Sequence, residues 1–185
     1  PGHGHVRADS HVDIPIDKRS LRAILRSDAQ PYPWLMPTLM AVMPAHVIYA
    51  QVDERPAGFS PRWLQEILRG ELGFTGAIIS DDLSMQGARQ LYGKPLSLSA
   101  AVLTALGAGC DLALVCNQSL DGGKALDGLL DEMSEAAVKG RWQPQEASEQ
   151  RRRALLPAAP AVAWDELMCS APYMQALEML SEIGR

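Results

Sequence analysis

The sequence predicts a parallel α/β fold, and three observations carry that expectation. Short apolar runs recur along the chain, at Thr38–Met43, Ala77–Ile79 and "CDLALVCN" (110–117). Stretches with helical spacing alternate with them. Between them lie glycine and proline punctuation, as strand-to-helix alternation requires. The count is about three βα units. A complete eight-unit barrel takes about 250 residues, and the chain has 185. The expectation is therefore a (β/α)8 barrel of the TIM type, of which this chain is the C-terminal half. Residues 1–185 are read as the C-terminal part of a single TIM-barrel domain.

Each element has its own reason. The opening "PGHGHVRADSHVDIP" is rich in glycine and proline and reads as a loop. "DKRSLRAIL" (17–25) reads as a short helix, with Asp17 as N-cap and Leu21, Ile24 and Leu25 on one face. Residues 27–37 are broken by prolines. Thr38–Met43 reads as a buried strand stopped by Pro44. In "FSPRWLQEILRGELGF", Ser60 is the N-cap and Pro61 takes the first helical position, where its missing N–H costs nothing. Trp63, Leu64, Ile67 and Leu68 share a face, and Gly70 and Gly73 end the helix. A helix over 97–109 is closed by glycines. Helices follow over 119–140, over 144–156 and from Pro172 onward, the last after a proline-alanine linker at 157–161.

Composition narrows the function. Apolar residues make up 47% of the chain, a globular rather than disordered content. The net charge of -5 offers no electrostatic footprint for nucleic acid. Arg151–Arg153 is the one basic run and reads as a solvated helix face. No run of about 18 apolar residues marks a membrane span. Three cysteines without a CxxC pattern fit a reducing compartment, with Cys110 and Cys116 as core filler.

In parallel α/β folds, sites gather at the carboxyl ends of strands. Two pieces fall there, Ser80-Asp81-Asp82 and Pro44-Ala45-His46. Adjacent residues of an extended segment point to opposite sides, so one of Asp81 and Asp82 faces the mouth. His46 sits on the same side. In the opening loop, Asp9 and His11 are two apart, and a carboxylate beside an imidazole favours its protonated form. Proton transfer is one reading of this loop. A metal held by His3, His5 and His11 with Asp81 is a second, and a loop without chemistry is a third.

These motifs resemble a known family. "PGHG" (1–4) with "DSH" (9–11), "MPAH" (43–46), "GFTGAIISDDLSM" (73–85) and "WDEL" (164–167) are similar in sequence and spacing to bacterial β-N-acetylglucosaminidases of glycoside hydrolase family 3. The likeness runs through nearly the whole chain. It implies a barrel that hydrolyses terminal β-N-acetylglucosamine with retention of configuration. It implies Asp81 as the nucleophile, His11 as the acid/base and Asp9 as the dyad partner of His11. It favours proton transfer over metal, so no metal and no cofactor are expected. Gly2 and Gly4 would provide the hinge of the loop. Asp82 is read as a structural hydrogen-bonder, and His46 as a candidate to line the sugar site.

The resemblance further implies a cytoplasmic enzyme of peptidoglycan recycling. Its substrate is N-acetylglucosamine linked to anhydro-N-acetylmuramic acid, with or without a peptide. Its products would feed cell-wall biogenesis and, in some bacteria, the signal that induces β-lactamase. The expected partners are this saccharide and the N-terminal half of the barrel, with the enzyme a monomer. The rival readings are substrate-assisted hydrolysis, a catalytically incomplete sugar-binding or assembly module, and a His-loop metallohydrolase.

Overall fold

The structure is a computed structural model that describes residues 2, 3, 5–10 and 13–183. It divides into two compact units, Pro1–Leu155 and Leu156–Arg185. Among the described residues, no helix is long and apolar enough to cross a membrane.

The first unit is built on very short parallel ladders. Strand β1 (Ile16–Asp17) pairs with β3 (Ile48–Tyr49), Ile16 opposite Ile48. Strand β2 (Ala41–Val42) pairs in parallel with β4 (Ala77–Ile78), Ala41 opposite Ala77. The next extended stretch joins β4 through a single parallel bridge, Ile79 with Leu112. The apolar runs at 41–42, 77–79 and 112 therefore lie side by side and point the same way. Their ladders are shorter than the runs predict. A two-residue hairpin turn at Tyr92 and Gly93, both at positive φ, joins β5 (Gln90–Leu91) to antiparallel β6 (Lys94–Pro95).

Helix α1 (Leu21–Leu25) starts one turn later than the sequence suggests. Ser20 is its cap, its side chain accepting from the Ala23 N–H. Asp17 does not cap it. Asp17 lies in β1, buried, and its carboxylate takes the Arg19 guanidinium at 2.7–3.2 Å. Burial alone would raise its pKa; the hydrogen bonds and charge of Arg19 outweigh burial and lower it. Helix α2 (Pro31–Leu35) follows in the proline-broken stretch.

The helix after Ser60 forms, but as a ten-residue π-helix, Arg62–Glu71. Apolar spacing cannot register the wider turn. Its N-terminus is nonetheless held as the sequence suggests. Ser60 Oγ accepts from the Trp63 N–H at 3.1 Å and donates to Asp53 at 2.6 Å. Trp63, Leu64 and Ile67 are buried, and Leu68 is half-buried.

Helix α3 (Leu98–Ala108) matches its expectation at both ends. Ser97 accepts from the Ala100 N–H, and Gly109 closes the helix at φ 118°, a conformation that favours glycine. Helices α4 (Lys124–Val138) and α5 (Glu146–Arg153) complete the unit. One core cluster packs α3 against Phe59, Leu64, Ile78, Leu83 and Leu129, and a second surrounds Tyr49, Trp63 and Ile67.

Arg151–Arg153 is only in part the solvated face that the sequence suggested. Arg151 turns inward and grips the buried Asp111 carboxylate with Nε and Nη2 at 2.7–3.0 Å. Arg152 donates to the Asp111 carbonyl at 3.3 Å, and Arg153 pairs with Glu149 on the surface. An acid opening an otherwise apolar strand needed a cation, and the basic run supplies it.

The second unit contains α6 (Trp164–Met168) and α7 (Ala171–Ile183). The rings of Trp164 and Tyr173 meet at nearly a right angle, 6.1 Å between centroids.

Candidate active site

The site is built at the carboxyl end of β4. After Ile79 the chain reaches Ser80, which is buried and fixed on both sides. Its N–H donates to Leu112 O at 2.9 Å, and its Oγ accepts from the Leu114 N–H at 2.9 Å. This pins the backbone directly before Asp81.

Asp81 and Asp82 then diverge in role. Asp82 is committed. Its Oδ1 accepts from the N–H groups of Ser84 at 2.9 Å and Cys116 at 3.0 Å, and its Oδ2 from the Ser84 hydroxyl at 2.6 Å. Burial alone would raise the Asp82 pKa. The hydrogen bonds from Ser84 and Cys116 outweigh it and hold the carboxyl below the ordinary value. Asp82 is the structural hydrogen-bonder that the sequence suggested. Asp81 is half-buried, and the one hydrogen bond to its carboxylate among the described residues comes from the Asp82 N–H, at 2.8 Å. Its second oxygen has no hydrogen-bond partner among the described residues.

His46 lies beneath this turn with no exposed surface. Its Nε2 meets the Asp82 carbonyl at 3.0 Å, which fixes that nitrogen as the donor, and its ring packs near Phe59. Nδ1 is buried without a partner among the described residues. Burial lowers the His46 pKa; Asp81 and Asp82 oppose the shift without reversing it. The imidazole therefore stays neutral where an exposed one would take up a proton.

The opening loop reaches the same turn. Asp9 is exposed, and its carbonyl accepts from the Asp13 N–H at 3.0 Å. Ser10 is buried: its carbonyl accepts from the Gly87 N–H at 3.1 Å, and its Oγ meets His3 Nε2 at 3.0 Å. The Tyr49 hydroxyl donates to Gly2 O at 2.9 Å. His11 and Gly4 lie outside the described residues. Among the described residues no group of three His, Cys, Asp or Glu side chains gathers as a metal site. Cys110 is buried, its thiol pushed up to about 12 by burial, which suits core filler and not a nucleophile. Cys116 is half-buried and touches the site through its backbone.

Sequence reasoning gave no role to Ser10, Ser80 or Gly87. Each acts through a contact to a distant segment, which local spacing cannot reveal. The apolar hollow lined by Tyr32, Trp63 and Ile67 is separate from the site; none of Asp9, His46, Asp81 or Asp82 borders it.

Parallel strands, with a partly engaged carboxylate at a strand end, define a class: an α/β protein whose candidate site sits where parallel α/β folds place theirs. The comparisons specify it. Residues 1–155 match the glycosyl hydrolase family 3 N terminal domain, and the chain belongs to that family. It is 48% identical over 184 residues to a beta-hexosaminidase of Bordetella pertussis, covering 99% of this chain and 48% of the relative. It is 57% identical over 129 residues to a beta-hexosaminidase of Pseudomonas aeruginosa, covering 70% of this chain and 38% of the relative. Among solved structures it is similar to NagZ from Neisseria gonorrhoeae in complex with N-trifluoroacetyl-D-glucosamine. That match has a TM-score of 0.74 and 35% identity, over 97% of this chain and 48% of that one. The same gonococcal enzyme in complex with zinc ion matches with a TM-score of 0.72 and 33% identity, over 95% and 46%. The chain spans about half the length of the curated relatives it matches. Family and neighbours fit a TIM-barrel-like domain.

Proposed function

We propose that this chain carries the catalytic strand ends of a retaining exo-β-N-acetylglucosaminidase. As in the expectation from sequence, it would be the C-terminal half of a (β/α)8 barrel, completed by an N-terminal half and acting as a cytoplasmic monomer. The observation that carries the reading is the contrast between two neighbouring acids. Asp82 takes three hydrogen bonds, while Asp81, at a strand end, has one oxygen without a partner among the described residues. The names of the relatives support the substrate class, a terminal N-acetylglucosaminide. The natural substrate would be N-acetylglucosamine on anhydro-N-acetylmuramic acid, with or without a peptide, released during peptidoglycan recycling.

The chemistry follows from the roles. The Asp81 carboxylate attacks the anomeric carbon as the glycosidic bond breaks. His11, as imidazolium, gives its proton to the departing oxygen. Neutral His11 then takes a proton from water, which attacks the glycosyl–Asp81 ester and frees the sugar. Asp9 orients the imidazole and supports its positive charge, as a carboxylate does in hydrolase triads. His46, closed off from solvent, serves by holding the Asp82 carbonyl and with it the turn beside Asp81.

A fluorosugar trap tests the reading. A covalent adduct on Asp81, found by peptide mass, supports it. Its absence, with tight binding of an oxazoline-type inhibitor, favours attack by the substrate's own acetamide. His11→Ala should cost roughly 10²–10⁴ in turnover, less for substrates with good leaving groups. Because related structures hold zinc, activity should also be read after chelation. Loss of activity there would replace the proton-transfer role with a metal.

A further inference from the structure

The opening loop and the Asp81 segment meet at one glycine. Gly87 is buried in the 3-10 turn Gln86–Ala88, and its N–H donates to the Ser10 carbonyl at 3.1 Å. A Cβ at this position would stand 2.9 Å from that carbonyl oxygen, 3.1 Å from His46 Cβ and 3.5 Å from the Asp13 carbonyl. The nearest of these is backbone and cannot swing away. The demand is for space, since Gly87 does not have a positive φ.

Both sides of this contact are anchored. On one side Leu83, Met85 and Ala88 are buried, and Asp82 is tied to Ser84 and Cys116. On the other, Ser10 is buried and bonded to His3. His46 touches both parts: its ring nitrogen holds Asp82 O, and its Cβ borders Gly87. The loop therefore cannot slide relative to Asp81 without breaking the Ser10–Gly87 bond or displacing buried atoms.

We propose that Gly87 is a positioning residue, whose N–H and absent side chain seat the Asp9-bearing loop against the segment that carries Asp81. This rests on the glycosidase reading above for its catalytic meaning. The seat itself does not depend on that reading.

The test uses the protein with both halves of its barrel, unmutated and as Gly87→Ala. Amide hydrogen exchange in the unmutated chain should show the Gly87 N–H protected to a degree comparable with α3. In Gly87→Ala, peptides covering residues 2–13 should exchange about tenfold faster or more, while those of α3 keep their rates. With chromogenic and alkyl N-acetylglucosaminides, kcat should fall most for the poorer leaving groups, with KM little changed. An unprotected Gly87 amide overturns the proposal even if the variant fails to fold. So does uniform acceleration of exchange throughout the variant, or an equal kcat loss for all leaving groups. Inactivity of the unmutated protein with both halves of its barrel present would count against the glycosidase reading alone, and exchange would still decide the seat.

Discussion

Asp111 and Asp81 lie on neighbouring extended segments, and the chain treats them in opposite ways. Asp111 is surrounded by donors: Arg151 grips both oxygens, Arg69 Nη2 stands at 2.9 Å, and the Ile78 N–H at 2.8 Å. Burial alone would raise its pKa, but the bonds from Arg151 and Ile78 outweigh it and lower it. Asp81 receives one hydrogen bond among the described residues, from its own neighbour. An acid with every lone pair engaged holds a structure together. An acid left partly unengaged, on a backbone held by hydrogen bonds at Ser80, is available for chemistry. Burial alone would have ranked the two the wrong way round.

Substitution should separate these roles. Asp81→Asn should abolish turnover for every leaving group while changing stability by less than about 0.5 kcal/mol, since it breaks no buried pair. Steady-state kinetics alongside urea denaturation checks both halves. A large loss of stability would place Asp81 with Asp111. Asp111→Asn should cost about 3–5 kcal/mol, because it strands Arg69 and Arg151 around a neutral group. Denaturant midpoints at constant slope measure it.

Acid sharpens the contrast further. The Asp111 pKa is lowered by folding from its ordinary 3.8. Its contribution is therefore complete above that value and fades as pH falls towards the folded-state pKa. The stability gap between Asp111→Asn and the unmutated chain should be full at pH 7 and close in strong acid. A gap that persists unchanged would mean the pair is not ionic.

The smallest effect concerns His46. Burial lowers its pKa from 6.5, so the folded state resists a proton that the unfolded chain accepts. Stability should decline as pH drops below about 6.5. His46→Gln should flatten that part of the curve, and a pH series of thermal unfolding reads it.

Local rules made parts of the chain legible. Ser97 and Gly109 bracket α3 because a cap is a contact between near neighbours. Ser60 was readable for the same reason. The pair Asp81-Asp82 stood out because two acids follow an apolar strand. What stayed hidden depends on distance along the chain. Asp17 looked like a cap because its partner, Arg19, lies within a plausible first turn. Arg151 looked solvated because Asp111 is 40 residues away. Gly87 carried no signal, since its neighbour Ser10 belongs to a different segment. The π-helix escaped because ten residues of apolar spacing fit either winding.

The Arg151–Asp111 clasp also has a meaning in time. Chains are made from the N-terminus at about 5–20 residues per second. Arg69 is already present when Asp111 is added, but Arg151 comes 40 residues later. For roughly 2–8 seconds at that pace, only one of the two guanidiniums has been synthesised. The strand at 110 can dock early on Arg69. The clasp is completed only when α5 has been synthesised, so α5 acts as the late lock on a fold begun without it.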